Sequence, residues 1–365
     1  MIRRFYSRGI PVIVGARNFP TPPCIAPKNT KAAKRSPQSK AMNPALETLA
    51  LASREHGDPA APALFLGAEP HPHLLRATAW QPIKPLADQC VAAGMTMADD
   101  PQGKFPTVFF LPGKSKEETL AGFARAHDLL APGGMLIAAL ANTSGAARFE
   151  KELSKATPLL FSVSKNKCRA FAVGNAEPWD TSILAAWRSL SEPRLIPDTT
   201  FTVVPGVFSV DHIDPGSALL AQHLPPSLRG EVADLGAGWG FLSHAALGKC
   251  PNISRIDLFE ADARSLACAR KNVTGPVEFY WHDVTSGLPG KYDHILTNPP
   301  FHTGQARDIG LGHAFLTTAA RALKRGGSLY IVANRQLPYE AHLESLGLRP
   351  RLLAETGGFK VIAAM

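Results

Sequence analysis

Four residues of this chain, Asn298-Pro299-Pro300-Phe301, have the makeup of a clamp for a planar amino group. An aromatic amine is a poor nucleophile, because its lone pair is delocalised into the ring. Acceptors that draw on its N–H bonds favour a tetrahedral nitrogen. Asn298 offers a side-chain carbonyl for this and Pro299 a backbone one. The two prolines fix φ, so both acceptors stand in place before a ligand arrives. Phe301 presents a flat face on which a base can stack, an interaction worth ~1–3 kcal/mol. In isolation Asn-Pro-Pro-Phe would more simply be a turn with a capping asparagine and a core phenylalanine. Its place after the apolar run His294-Ile295-Leu296-Thr297 favours the chemical reading. His302 follows, suited equally to substrate and to solvent.

Upstream, the apolar run Val232 to Leu235 leads into Asp234-Leu235-Gly236-Ala237-Gly238-Trp239-Gly240. Gly236, Gly238 and Gly240 permit positive φ and let the backbone approach a ligand closely, which is the chemistry of a nucleoside cradle. Asp234 stands just ahead of the loop, placed for one end of that ligand. The next strand, Ile256-Asp257-Leu258-Phe259, closes on Glu260, a carboxylate spaced to accept both hydroxyls of a ribose and to repel a 2′-phosphate. Asp262 is the rival for that role, and Glu260 is preferred because it stands at the strand's end. A third strand, Val277 to Trp281, runs to Asp283, which can accept from an adenine amino group with Val284 beside the ring. Taken alone, Asp283 would be a turn cap.

These strand ends require an alternating α/β framework, and the chain contains it twice. In the C-terminal half, the strand before Asn298 is followed by helical sequence to Leu323, then Gly326-Gly327 and the strand Ser328 to Val332. In the N-terminal half the strand Thr107 to Phe110 precedes a helix over Glu117 to Leu130, then Gly133-Gly134 and an apolar run from Met135 to Leu140. Where the second copy has its clamp, the first has Leu111-Pro112-Gly113-Lys114. Where the second has its cradle, the first has Leu66-Gly67-Ala68-Glu69 with one glycine. Leu111 has no side-chain acceptor, so the first copy reads as a degenerate duplicate without catalysis. Pro178, Pro193 and Pro197 mark a connecting region around residues 175–200.

The formal net charge of +9 invites a nucleic-acid argument, but nine bases and no acid fall in residues 1–41. The remainder, residues 42–365, holds 30 bases against 30 acids. An RNA-binding face must therefore come from local clustering. The proline-rich leader reads as disordered. Sequence upstream of a start at Met42 is preferred over an RNA-touching tail, and over a targeting leader, for which the proline density is wrong. Cys24, Cys90, Cys168, Cys250 and Cys268 show no metal-ligand spacing. His71 and His73 lack further ligands, so no metal is expected. No apolar run approaches the ~20 residues of a membrane helix. A cytoplasmic protein, monomeric and without membrane partners, is expected.

Asn298-Pro299-Pro300-Phe301-His302, together with Pro205-Gly206-Val207-Phe208-Ser209 and Gly216-Ser217-Ala218-Leu219-Leu220, resembles the bacterial guanine-N2 methyltransferases of small-subunit ribosomal RNA, of the RsmC type. The likeness is specific over residues 200–335 and architectural over 42–190. It implies two tandem Rossmann-like class I methyltransferase domains in an α/β fold, the N-terminal one degenerate. The expected divisions are a leader at 1–41, the degenerate copy at 42–190 and the catalytic copy at 191–365. It further implies S-adenosylmethionine as cofactor, Phe208 near cofactor and substrate, and ribosomal RNA or the small subunit as partner. Adenine N6 and protein glutamine methylation use the same clamp, more often with Tyr in place of Phe301. A non-catalytic RNA-binding assembly factor is the alternative from another class.

Overall fold

The structure is a computed structural model describing residues 43–56, 62–300, 302–303, 306–307 and 309–365, with 302–303 and 306–307 described by backbone only. The leader 1–41 and Phe301 lie outside the described residues. Helix α1 (Pro44–His56) precedes a sheet of β1 (Ala63–Leu66), β2 (Thr78–Trp80), β3 (Phe105–Phe110), β4 (Leu130–Ala141), β5 (Leu159–Lys165) and β6 (Cys168–Gly174). Its strand order is β2-β1-β3-β4-β6-β5. Helices α2 (Lys84–Ala92), α3 (Lys116–Leu129), α4 (Ala146–Ala156) and α5 (Thr181–Ser189) accompany it. A ribbon of β7 (Arg194–Leu195) and β8 (Thr202–Val203), then α6 (Pro215–His223), lead to the second sheet.

That sheet contains β9 (Arg229–Leu235), β10 (Asn252–Glu260), β11 (Val277–Trp281), β12 (Tyr292–Thr297), β15 (Leu323–Asn334), β16 (Pro350–Thr356) and β17 (Phe359–Ala364). The order is β11-β10-β9-β12-β15-β17-β16. Strands β13 (His302–Thr303) and β14 (Ala306–Arg307) form a separate hairpin. Helices α7 (Phe241–Lys249), α8 (Ala263–Asn272), α9 (Ile309–Ala322) and α10 (Tyr339–Ser345) complete the half. Val232 to Leu235 and Ile295 to Thr297 are buried on both faces, which is why they are apolar apart from Asp234 and Thr297 and do not alternate.

The two sheets share their register as well as their order. Leu66 pairs with Trp80 on one side and Phe110 on the other, and Leu235 pairs in the same way with Phe259 and Thr297. Gly67 and Ala68 both donate their N–H to the Trp80 carbonyl (3.0 and 3.1 Å), as Gly236 and Ala237 do to Phe259 (2.8 and 3.1 Å). Strand β3 slips against β4 between Phe105 and Thr107, and β12 slips against β15 between Tyr292 and His294. A Cβ on Gly134 or Gly327 would stand 2.9 Å from a backbone carbonyl of the neighbouring strand, so the Gly-Gly turn is required in both. The duplicate expected from sequence is present in strand order, in register and in the loop hydrogen bonds. Among the described residues, the counterpart of β11 in the first half is reduced to one parallel bridge, Ala79 with Met97.

The halves meet through equivalent residues. Register makes Pro82, Ile83 and Lys84 the counterparts of Ala261, Asp262 and Ala263. Ile83 bridges Asp262 antiparallel, Lys84 N–H donates to the Ala261 carbonyl (2.8 Å), and Ala263 N–H donates to the Pro82 carbonyl (2.9 Å). The contact is therefore locally two-fold. Trp281 Nε1 donates to the Pro82 and Ala261 carbonyls (3.0 and 2.8 Å). Glu118 of α3 ion-pairs with Arg264 of α8, which also binds Asp262. Beside this seam lies a cleft of about 470 Å³ bordered by Trp80, Phe110, Arg125, Arg264 and Lys271.

The region read as a connector holds helix α5, packed on the first half through buried Leu184 and Trp187. Asp180 caps it, accepting from the N–H groups of Ser182 (2.8 Å) and Ile183 (3.0 Å). Proline signals on either side masked a short helix whose only marks are that cap and one apolar stripe. Asp180→Ala is expected to lower the unfolding free energy by removing that cap. A denaturant melt with an unshifted midpoint would refute a stabilising cap.

Candidate functional site

Because Leu235, Phe259 and Thr297 lie level in adjacent strands, the residues that follow them, Gly236, Glu260 and Asn298, emerge in one row at the carboxyl edge of the sheet. Strands spaced about 4.8 Å apart set Glu260 and Asn298 roughly 10 Å apart across β9. The chain leaves β9 between neighbours on both sides, which opens a crevice there.

The glycine loop adopts the positive φ its composition suggested, at +69° for Gly236, +56° for Gly238 and +93° for Gly240. A Cβ on Gly238 would meet nothing within 4 Å, whereas one on Gly240 would stand 2.4 Å from Val273 Cγ2. Gly238 thus faces open space, while Gly240 packs the loop onto α8. Gly238 N–H donates to Glu260 Oε2 (2.7 Å) and Asp262 N–H to Glu260 Oε1 (2.8 Å). The carboxylate is fixed between the loop and the domain seam. Burial pushes its pKa up to about 7, against the pull of the N–H donors. Asp262 is engaged elsewhere, capping α8 and paired with Arg264.

Asp234 is fully buried beneath the loop. One oxygen accepts from Ser243 Oγ (2.7 Å), and the other has no partner. Burial pushes its pKa up to about 6. Asp283 uses one oxygen to cap the turn after β11, accepting from Thr285 N–H (2.9 Å) and Oγ1 (2.7 Å). The turn-cap role is present, and the second oxygen enters neither bond. Phe208 is 59% exposed, and its carbonyl accepts from Trp239 Nε1 (3.0 Å), tying its segment to the glycine loop. The residues fit a nucleoside cofactor on three counts: open space over Gly238, an orphaned buried oxygen on Asp234, and a held carboxylate at Glu260.

Asn298 is positioned by residues the sequence reading did not assign. Its Nδ2 donates to Asp214 Oδ2 (2.9 Å) and Ser217 Oγ (2.9 Å). Asp214 is the N-cap of α6, accepting from Ser217 N–H (2.7 Å). The available signal was Asp214-Pro215 with Ser217, a helix start like many others. Pro299 is buried and Pro300 partly so. The Phe301 contact expected from sequence falls outside the described residues. His71 is buried beside Glu47 (3.7 Å), and no group of metal-ligating side chains occurs among the described residues. Among them, too, no helix is long and apolar enough to cross a membrane.

In the first half the same positions are closed. Gln81, the counterpart of Glu260, donates its Nε2 to the Ala68 carbonyl (2.8 Å) and accepts from Ile83 N–H (3.0 Å). Leu111 replaces Asn298, and its carbonyl lies 2.3 Å from where a Cβ on Gly67 would stand.

Residues 198–363 match the Methyltransferase small domain family. The ribosomal RNA small subunit methyltransferase C of Citrobacter koseri is 30% identical over 303 residues, covering 82% of this chain and 87% of that protein. That of Cronobacter sakazakii is 30% identical over 308 residues, covering 83% and 88%. Among solved structures, the T. thermophilus 16S rRNA N2 methyltransferase (RsmC) in complex with AdoMet and guanosine matches with a TM-score of 0.72 at 23% identity. It covers 89% of this chain and 92% of that one, a likeness of fold across both halves.

Gly240→Ala is expected to destabilise the protein by about 2 kcal/mol or more, through a left-handed φ and the clash with Val273. Gly238→Ala should leave stability within ~1–2 kcal/mol but weaken cofactor binding. Thermal melts and calorimetric titration separate the two, and equal destabilisation would contradict the assignment.

Proposed function

The chain belongs to the ribosomal RNA small subunit methyltransferase C family, and from that membership we propose that it transfers a methyl group from S-adenosylmethionine to the exocyclic N2 amine of a guanine in 16S ribosomal RNA. The observation that supports this reading is the row Gly236, Glu260 and Asn298, which sets a carboxylate and a side-chain amide on opposite sides of one crevice. When bound, S-adenosylmethionine supplies a methyl group activated by a sulfonium charge.

In this reading the Gly236–Gly240 loop cradles the cofactor and Glu260 accepts the ribose hydroxyls. Asp283 takes the adenine amino group through its second oxygen. Asp234 reaches the methionine end through its orphaned oxygen, and Phe208 borders cofactor and substrate. Asn298 Oδ1 and the Pro299 carbonyl accept the two amine hydrogens, which holds the nitrogen lone pair in line for attack. Pro300 stiffens the loop, and Phe301 stacks on the base. The base must leave its stack to enter, because the amine is otherwise paired. The methylated nitrogen then loses a proton to water.

Residues 42–190 act as scaffold and RNA contact, and 191–365 as the catalytic domain. The cleft's lining sets Arg125, Arg188, Arg264 and Lys271 against Glu118 and Asp128, a modest excess of bases that supports the RNA contact. A monomer fits a chain whose two halves pair with each other at Ile83 and Asp262, and a cytoplasmic location fits ribosomal RNA as the substrate.

The protein is tested with labelled S-adenosylmethionine and unmodified small subunits, free RNA, DNA and cell protein. Label in N2-methylguanosine of 16S RNA is expected, with Asn298→Ala lowering kcat about 10²–10³-fold. Label in DNA or protein would move the activity to another amine, and no label would leave an assembly factor. Because an ionised Glu260 accepts ribose hydroxyls better, cofactor affinity should rise with pH through about 7 and level off above it. Glu260→Gln should weaken binding and flatten that profile in calorimetry.

A further inference from the structure

The amide of Asn298 is useful to an amine in only one of its two orientations. With Oδ1 outward it accepts an N–H. Flipped, it would oppose one donor with another and favour a ring nitrogen or carbonyl instead. Asp214 Oδ2 already acts as acceptor for the Ser217 N–H, so the Asn298 atom facing it must be the nitrogen. Its two hydrogens are then taken by Asp214 Oδ2 and Ser217 Oγ, each at 2.9 Å. Oδ1 is left for a ligand.

The acceptors themselves are held firmly. Asp214 Oδ2 also receives the Ser217 N–H (2.7 Å), so the cap of α6 fixes its orientation. Ser217 is buried. A Cβ on Gly216 would stand 3.0 Å from the Phe359 ring and 3.1 Å from Asp214 Oδ2, so the cap lies tight against β17. Donation of an N–H to an anion also polarises the amide, raising the electron density on Oδ1. That gain grows as the attacking nitrogen becomes positive.

We propose that Asp214 and Ser217 are positioning residues that fix the polarity of the Asn298 amide and strengthen its carbonyl as acceptor, making the site selective for an exocyclic amine. This rests on Asn298 being the amine acceptor. Asparagine caps a helix as well as aspartate does, so Asp214→Asn keeps α6 and should leave the melting temperature unchanged. Its oxygen, kept in place by the Ser217 N–H, still accepts from Asn298 Nδ2 but carries no charge, so the variant removes the polarisation and weakens the hold on the amide's orientation.

With the full chain, S-adenosylmethionine and unmodified small subunits, Asp214→Asn should lower kcat about tenfold to hundredfold, leaving KM for RNA and cofactor affinity within about threefold. Ser217→Ala, which leaves the charged acceptor in place, should lower kcat less. In single-turnover assays of the double variant, Asp214→Asn should add nothing to the loss caused by Asn298→Ala, because it acts through that side chain. An unchanged kcat in Asp214→Asn, or the same fractional loss on the Asn298→Ala background, overturns the proposal. An Asn298→Ala variant as fast as the parent would instead overturn the acceptor role beneath it.

Discussion

The site depends on β9 pairing in parallel with β10 on one side and β12 on the other, with the three strands ending level. Parallel strands need crossovers, and crossovers to opposite sides of one strand leave a gap that no helix fills. The glycine loop, Glu260 and Asn298 are the first residues past those ends. Their relative placement is thus set by backbone hydrogen bonds in the most deeply buried part of the domain. Thr297 adds a side-chain tie at the rim, donating its hydroxyl to the Leu235 carbonyl (2.9 Å). Side chains anchored in this way need little reorganisation when a ligand arrives, which is what electrostatic assistance requires.

Comparison of the halves separates what makes the fold from what makes the chemistry. Both keep the loop-to-strand hydrogen bonds, the bulge and the Gly-Gly turn. They differ in three places along the row. A carboxylate that accepts from the loop becomes a glutamine that donates to it, the asparagine becomes Leu111, and the glycine loop presses against a carbonyl. Leu111 and Gln81 are themselves buried, so the first half fills the place of the site with packed side chains and keeps the fold. The inert half still bears on the active one. Its Pro82 to Lys84 segment pairs with the residues just after Glu260, and Asp262 N–H holds that carboxylate.

Much of this was legible in the chain because strand ends announce themselves. An apolar run stops, and the next residue is a glycine, a carboxylate or an asparagine, as at Leu235, Phe259 and Thr297. The repeat was legible for the same reason. Other features left weaker traces. Asp214 and Ser217 stand 84 and 81 positions from Asn298, and an aspartate before a proline marks any helix start. Helix α5 hid between prolines. Asp234 gave no sign that it would lie wholly beneath the loop, because alternation does not distinguish the faces of a strand buried on both.

The two-fold seam at Ile83 and Asp262 has a consequence for how such a chain can change. In an assembly of two identical subunits every substitution appears twice, so a face and a crevice cannot be altered in one copy alone. Within a single polypeptide the equivalent positions are inherited separately. Both Asp262 and Ile83 give their N–H to the side chain two positions before, Glu260 or Gln81, but only Asp262 adds a carboxylate that pairs with Arg264. Symmetry here survives in the backbone and has lapsed in the side chains. The molecule keeps the geometry of a pair while its halves answer to different selection.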